Sequence, residues 1–212
     1  MPRPPILQPG QSYTFRQYFE MNYEPEDILA EFGYTLERSP FILPPSIQKL
    51  DRLEDLRSRI QESLPYISLT SETARRELLI APLLLEVVHY THAQLRLEYP
   101  LNVTDQLKGS LDYYLYSVNK YHDKSVDKLI VIEAKNADLA KGFTQLAVEL
   151  IALDKWIDTE QPILQGAVST GAIWQFGVLD REQKKIQQGL TLYRVPEDLE
   201  DVLRILVKLL ES

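Results

Sequence analysis

The run Leu129-Ile130-Val131-Ile132-Glu133-Ala134-Lys135 is apolar until its last three residues, where two opposite charges stand at alternate positions. In a strand the side chains repeat every two residues, so Glu133 and Lys135 share a face. Burying a carboxylate and an ammonium there is unfavourable unless they are paired or bound to something. About twenty residues earlier Asp112 interrupts a second strand-like stretch, 109–118. Neighbouring strands lie about 4.8 Å apart, so the two carboxylates can converge. Two acidic oxygens, completed by water and phosphate oxygens, suit Mg2+ or Mn2+. The Ala134 carbonyl could add a further oxygen. Lys135 could orient or deprotonate an attacking water, or neutralise charge on a phosphate. The competing reading is a partly buried ion pair between Lys135 and either carboxylate.

The flanking elements must bring these groups together. Residues 1–10 read as a Pro-rich leader, followed by short helices at 14–20 and 26–32 with Gly33 as a stop. A longer helix is expected over 46–64, capped by Ser46. Its stripe of Ile47, Leu50, Leu53, Leu56, Ile60 and Leu64 suits either the chain's own core or a dimer seam. Thr70 or Ser71 caps a further helix running toward Val88, with a bend expected at Pro82. Strands follow at 95–103, 109–118 and 129–135, with 119–128 as a hairpin-type connection. A long helix covers 138–156, strands cover 163–169, 173–179 and 187–194, and Pro196 opens a last helix. Its early acidic residues suit the helix dipole. The pattern predicts an α/β (α+β) fold, a central mixed sheet between helices.

The helix from Ser71 can offer one acidic residue, Glu72, Glu77 or Glu86, to complete the shell. Gln145, on the sheet side of the next helix, could hold a phosphate or a base edge. Arg75 and Arg76 could approach phosphates, as could Lys141 and Lys108 more weakly. Trp156 and Trp174 read as core or rim aromatics.

The chain has 212 residues, 44% hydrophobic and 25% charged, with a net charge of -8. It is large enough for one sizeable domain. The absence of cysteine excludes disulfides, thiolate metal sites and cysteine nucleophiles. Of the three histidines, His89, His92 and His122, the first two share a helical i, i+3 relation, with no third ligand evident. The acidic charge argues against broad coating of DNA, yet a local nucleic-acid site remains compatible with it. The amino terminus lacks signal-peptide character, and the longest apolar run, 78–88, is too short to span a bilayer. A soluble cytoplasmic protein without a membrane partner is expected.

These residues resemble the PD-(D/E)XK nuclease superfamily, and most of all the nuclease domain of type I restriction endonuclease R subunits and related stand-alone bacterial proteins. The resemblance is carried by Ser71-Glu72-Thr73-Ala74-Arg75-Arg76 with Ile80-Ala81-Pro82-Leu83-Leu84, by Gly109-Ser110-Leu111-Asp112-Tyr113, by Val131-Ile132-Glu133-Ala134-Lys135, and by Gln145. It covers roughly 70–180. It implies a restriction-endonuclease-like core, assigned to 66–212; residues 1–65 are read as an N-terminal helical extension, and the stripe at 46–64 makes it a candidate homodimerisation element. It implies Asp112 and Glu133 as metal ligands, Lys135 as the catalytic lysine, Glu72 as the helix carboxylate, and DNA as the partner. Two positions depart from the family's pattern: Leu111 stands where proline is common, and Glu149 where tyrosine often follows the glutamine. A nuclease-like module that binds nucleic acid or a protein partner without cutting is the alternative.

Overall fold

A computed structural model describes residues 5–118, 126–135 and 138–211. Its centre is a seven-stranded sheet in the order β1-β7-β6-β5-β4-β3-β2. The strands are β1 Thr35–Ser39, β2 Gln94–Thr104, β3 Leu107–Val118, β4 Val126–Ala134, β5 Ile163–Ser169, β6 Ile173–Asp180 and β7 Lys185–Arg194. β1 runs parallel to β7 and β4 parallel to β5, while the remaining neighbours are antiparallel. The mixed sheet is therefore as expected. His122 and most of the expected 119–128 connection lie outside the described residues.

Helices cover both faces. α1 Phe15–Glu20, α2 Pro25–Ala30 and α6 Leu139–Trp156 share one core with Leu129, Val131 and Val168; α3 Leu53–Ser63, α5 Ala81–Thr91 and α7 Leu199–Leu210 share the other with Ile130, Ile132 and Ala134. A strand covered on both sides must be apolar at every position, which explains the unbroken run before Glu133. Gly142 to Leu153 of α6 are all buried. Trp174 is fully buried, whereas Trp156 lies at the rim against Tyr99.

The expected helix from Ser71 is present, but in three parts. Ser71 caps α4 Glu72–Arg75 by accepting the Ala74 N–H at 3.1 Å. A π turn, Arg76–Ile80, follows, in which the Ala81 N–H reaches back to the Arg76 carbonyl. α5 continues from it without a break, with Pro82, which has no N–H to donate, directly after the widened turn. The irregularity expected at Pro82 thus falls one turn earlier, as one widened turn.

The amino-terminal third differs most from expectation. Residues 1–65 do not form a separate extension: β1 is a sheet strand, and α1, α2 and α3 contribute to the two cores. The expected helix over 46–64 starts only at Leu53. Ser46 is no cap; it is buried and donates to Glu211 at 2.6 Å. Ile47 is exposed, while Leu50, Leu53, Leu56 and Ile60 pack into the chain's own core. A dimer seam on that stripe would need side chains that are already buried.

One close approach ties this packing to the charged end of β4. A Cβ on Gly142 would meet Lys135 Cγ and Val168 Cγ2, each at 2.8 Å. Glycine in a helix interior is ordinarily less favourable than alanine, so its presence here reflects that contact. Gly142→Ala is therefore expected to lower stability by about 1–3 kcal/mol despite alanine's better helix propensity, read from the midpoint of urea unfolding.

Candidate active site

The site forms where β3 and β4 part. Their ladder is regular through Tyr113↔Ile132. One step further the register sets Asp112 opposite Glu133, and a side chain takes over from the backbone: Asp112 Oδ2 accepts the Ala134 N–H at 2.9 Å. Lys135 stays on the edge of β5 through its own N–H, which donates to the Ser169 carbonyl at 2.8 Å. Asp112, Glu133 and Lys135 all line one cavity of about 590 Å³, together with Glu72 and Gln145.

Glu133 is 1% exposed. Its Oε1 accepts from Lys135 Nζ and, at 2.7 Å, from Gln145 Nε2. Its Oε2 has no hydrogen-bond partner among the described residues. Gln145 Nε2 also donates to Glu149 Oε1 at 2.9 Å. The Lys135 ammonium lies 4.9 Å from the centre of the Phe19 ring on α1.

Burial dominates the electrostatics. It raises the Glu133 pKa well above the carboxylate range, reinforced by the charges of Glu149 and Asp112. Burial likewise pushes Glu149 up to about 8. For Lys135, burial alone would lower the pKa, but Glu133, with Asp112 and Glu149 nearby, carries it above the ordinary lysine value. Lys135 is thereby held as an ammonium, a donor without an acceptor.

The other expected site residues divide. Glu72, in the first turn of α4, faces the cavity. Glu77 lines a different groove beside Leu56 and Ile60. Glu86 is buried between Arg52 and Arg59, at 3.0 and 3.1 Å. Of the three candidate acids, only Glu72 can serve this site. Across the π turn the two arginines diverge. Arg75 donates to the Thr170 carbonyl at 3.2 Å on the β5–β6 turn, which takes it away from the cavity. Arg76 lies 3.7 Å from Asp112 Oδ1 and 3.4 Å from Glu98 Oε1. Lys141 does not line the cavity, and its ammonium donates to Asn22 at 3.2 Å. Lys108 pairs with Asp105 at 3.3 Å. Gln145 is in the site, but both amide hydrogens are already engaged by carboxylates, so it has none to offer a phosphate. His89 packs on Tyr90, and His92 ends α5 in a left-handed conformation.

Three contributors escape a sequence reading. Glu149 is fully buried and joined to Glu133 through Gln145. Its signal was a lone carboxylate in the apolar stretch of α6, one helical turn after Gln145. Glu98 lines the cavity with φ +49, at the register position opposite Asp112 between the Leu97↔Tyr113 and Tyr99↔Leu111 pairs. α1 supplies a wall through Arg16, Phe19 and Glu20, held there by packing on α6 and by the Thr14↔Lys108 bridge.

Among the described residues no three His, Asp or Glu side chains converge closely enough to hold an ion unaided. Mg2+ is commonly held by one or two carboxylates with waters and substrate oxygens. The carboxylates of Asp112 and Glu133, with Glu133 Oε2 buried and without a hydrogen-bond partner among the described residues, fit that requirement. No helix among the described residues is long and apolar enough to cross a membrane. No protein-family model matches this chain, and no curated protein matches it.

The raised Glu149 pKa has a consequence for stability. In the unfolded chain this carboxyl ionises near 4.5, whereas in the folded protein it keeps its proton to about 8. Across that window the folded state binds the additional proton, so stability falls as pH rises. With chelator present, Glu149→Gln is expected to raise Tm by several degrees at about pH 9, with much less effect at about pH 5. Thermal melts followed by circular dichroism at the two pH values check this.

Proposed function

We propose that this protein is a metal-dependent nuclease of the PD-(D/E)XK type, with a restriction-endonuclease-like core, that hydrolyses phosphodiester bonds in DNA. The observation that supports this best is the convergence of Asp112, Glu133 and Lys135 on one cavity floor, with one Glu133 oxygen left without a partner. Asp112, Glu133 and the Ala134 carbonyl would hold Mg2+ or Mn2+, with Glu72 facing the same cavity. Such an ion, when bound, stabilises charge on a phosphoryl oxygen and makes water a stronger nucleophile at neutral pH.

The chain's own groups do the rest. The Ala134 N–H fixes the Asp112 carboxylate on one oxygen, and Arg76 flanks the other. Lys135 and Gln145 together turn Glu133 so that Oε2 is the oxygen left over. The Lys135 ammonium offers N–H donors to phosphate oxygens and offsets the negative charge that builds there. Water attacks phosphorus directly, and no side chain forms a covalent intermediate.

A second reading, a nuclease-fold module that does not cut, has one observation in its favour. Six carboxylates line the cavity, from Glu20, Glu72, Glu98, Asp112, Glu133 and Asp138, against the cations Arg16 and Lys135. A polyanion would meet unfavourable potential there unless cations were bound first.

Incubation of the protein with linear and supercoiled DNA in Mg2+ or Mn2+ distinguishes the two. Cleavage is expected, abolished by chelator and slowed about 100-fold or more in Asp112→Ala, Glu133→Ala and Lys135→Ala, with the fold retained by circular dichroism. Equal cutting by all three variants removes the assignment. DNA binding without cutting at any metal concentration supports the second reading.

A further inference from the structure

We infer that Glu149 is a positioning residue that acts through Gln145 to hold Glu133 with its Oε2 free for a divalent cation, an inference resting on the metal-site reading above. An amide nitrogen carries two hydrogens, and here both have carboxylate acceptors. One goes to Glu133 Oε1 at 2.7 Å and the other to Glu149 Oε1 at 2.9 Å. With both hydrogens on carboxyl oxygens, the carbonyl points elsewhere. Gln145 Oε1 accordingly has no hydrogen-bond partner among the described residues. Glu133 Oε1 takes donors from both Gln145 and Lys135, which fixes the rotation of the carboxylate.

Stability does not account for Glu149. It is 0% exposed, on a helix whose neighbouring Leu146, Ala147, Val148 and Leu150 are equally buried. A carboxyl in such a place costs several kcal/mol relative to an apolar residue of similar size. Nor does it touch the reacting centre, since it is absent from the cavity lining while Glu133 and Gln145 are part of it. What it does is occupy the second hydrogen of Gln145 and set its own carboxyl beside that of Glu133. Without that acceptor the amide can turn into the cavity, and Glu133 keeps only Lys135 as an anchor. Carboxylates that bind metal ions depend on such outer hydrogen bonds, and losing one typically weakens metal affinity about 10- to 100-fold.

The test is Mn2+ titration by isothermal calorimetry, with thermal melts of the same samples. In Glu149→Leu, Mn2+ affinity is expected to fall about tenfold or more, with Tm at or above that of the parent. In Glu149→Gln, whose carbonyl can still accept from Gln145, affinity should stay within about threefold of the parent. Gln145→Leu should weaken Mn2+ binding as well, and the Glu149→Leu/Gln145→Leu double variant should be no weaker than the worse single variant, because both act along one chain. Parent-like affinity in Glu149→Leu, or additive losses in the double variant, would overturn the positioning role while leaving the metal site standing. Absence of Mn2+ binding by the parent at millimolar metal would overturn both.

Discussion

Glu133 is a carboxylate enclosed by the sheet and α6, engaged through one oxygen, with the other buried and without a hydrogen-bond partner among the described residues. The surrounding design depends on that condition. A buried carboxylate without partners would unfold the region or take up a proton. Lys135 and Gln145 prevent the first outcome. The tendency toward the second remains, because burial and two further acids raise the Glu133 pKa. Replacing the whole group by packed aliphatic side chains would be at least neutral for stability. Folding alone gives no reason for the arrangement.

The fold creates this place by ending regular structure at one point. From Leu129 to Ile132 β4 is apolar on both faces, because α6 covers one side and α5 with α7 the other. The β3–β4 ladder stops one residue before Asp112, and the Asp112 side chain takes the next backbone donor. Gly142 lets α6 approach closely enough to lie against the Lys135 stem. Adjacent on the helix from Ser71, Arg76 lies toward Asp112 and Arg75 toward the β5–β6 turn. α1 closes the remaining side with Phe19 against the Lys135 ammonium.

Much of this was legible in the residues. β3, β4, α6 and the strands after it have long, unambiguous apolar patterns, and the Asp112, Glu133 and Lys135 positions follow from strand period and spacing. β1 was not legible, because Thr35–Ser39 is a five-residue edge strand in which only Leu36 is aliphatic. The late start of α3 escaped because Ser46 satisfies its hydroxyl on Glu211, 165 residues away, and not on a local helix. Arg75 and Arg76 diverge because consecutive helical residues do not face each other, but which of them meets Asp112 depends on how the helix lies on the sheet. Glu149 stood out as a carboxylate among aliphatic residues, at the position where tyrosine often follows the glutamine, but not as part of the site. Its partner Glu133 belongs to another element, so its role emerges only once α6 lies on the sheet. For the same reason, an N-terminal segment read as an extension turns out to wall the cavity.

The central claim is that Asp112 and Glu133 hold a divalent cation. Crystals of the protein soaked in Mn2+, with data collected near the manganese edge, test it most directly. One anomalous peak between the Asp112 carboxylate and Glu133 Oε2 is the predicted result. An empty position there at millimolar Mn2+, with the Glu133 carboxylate still closed on Lys135 and Gln145, would contradict it.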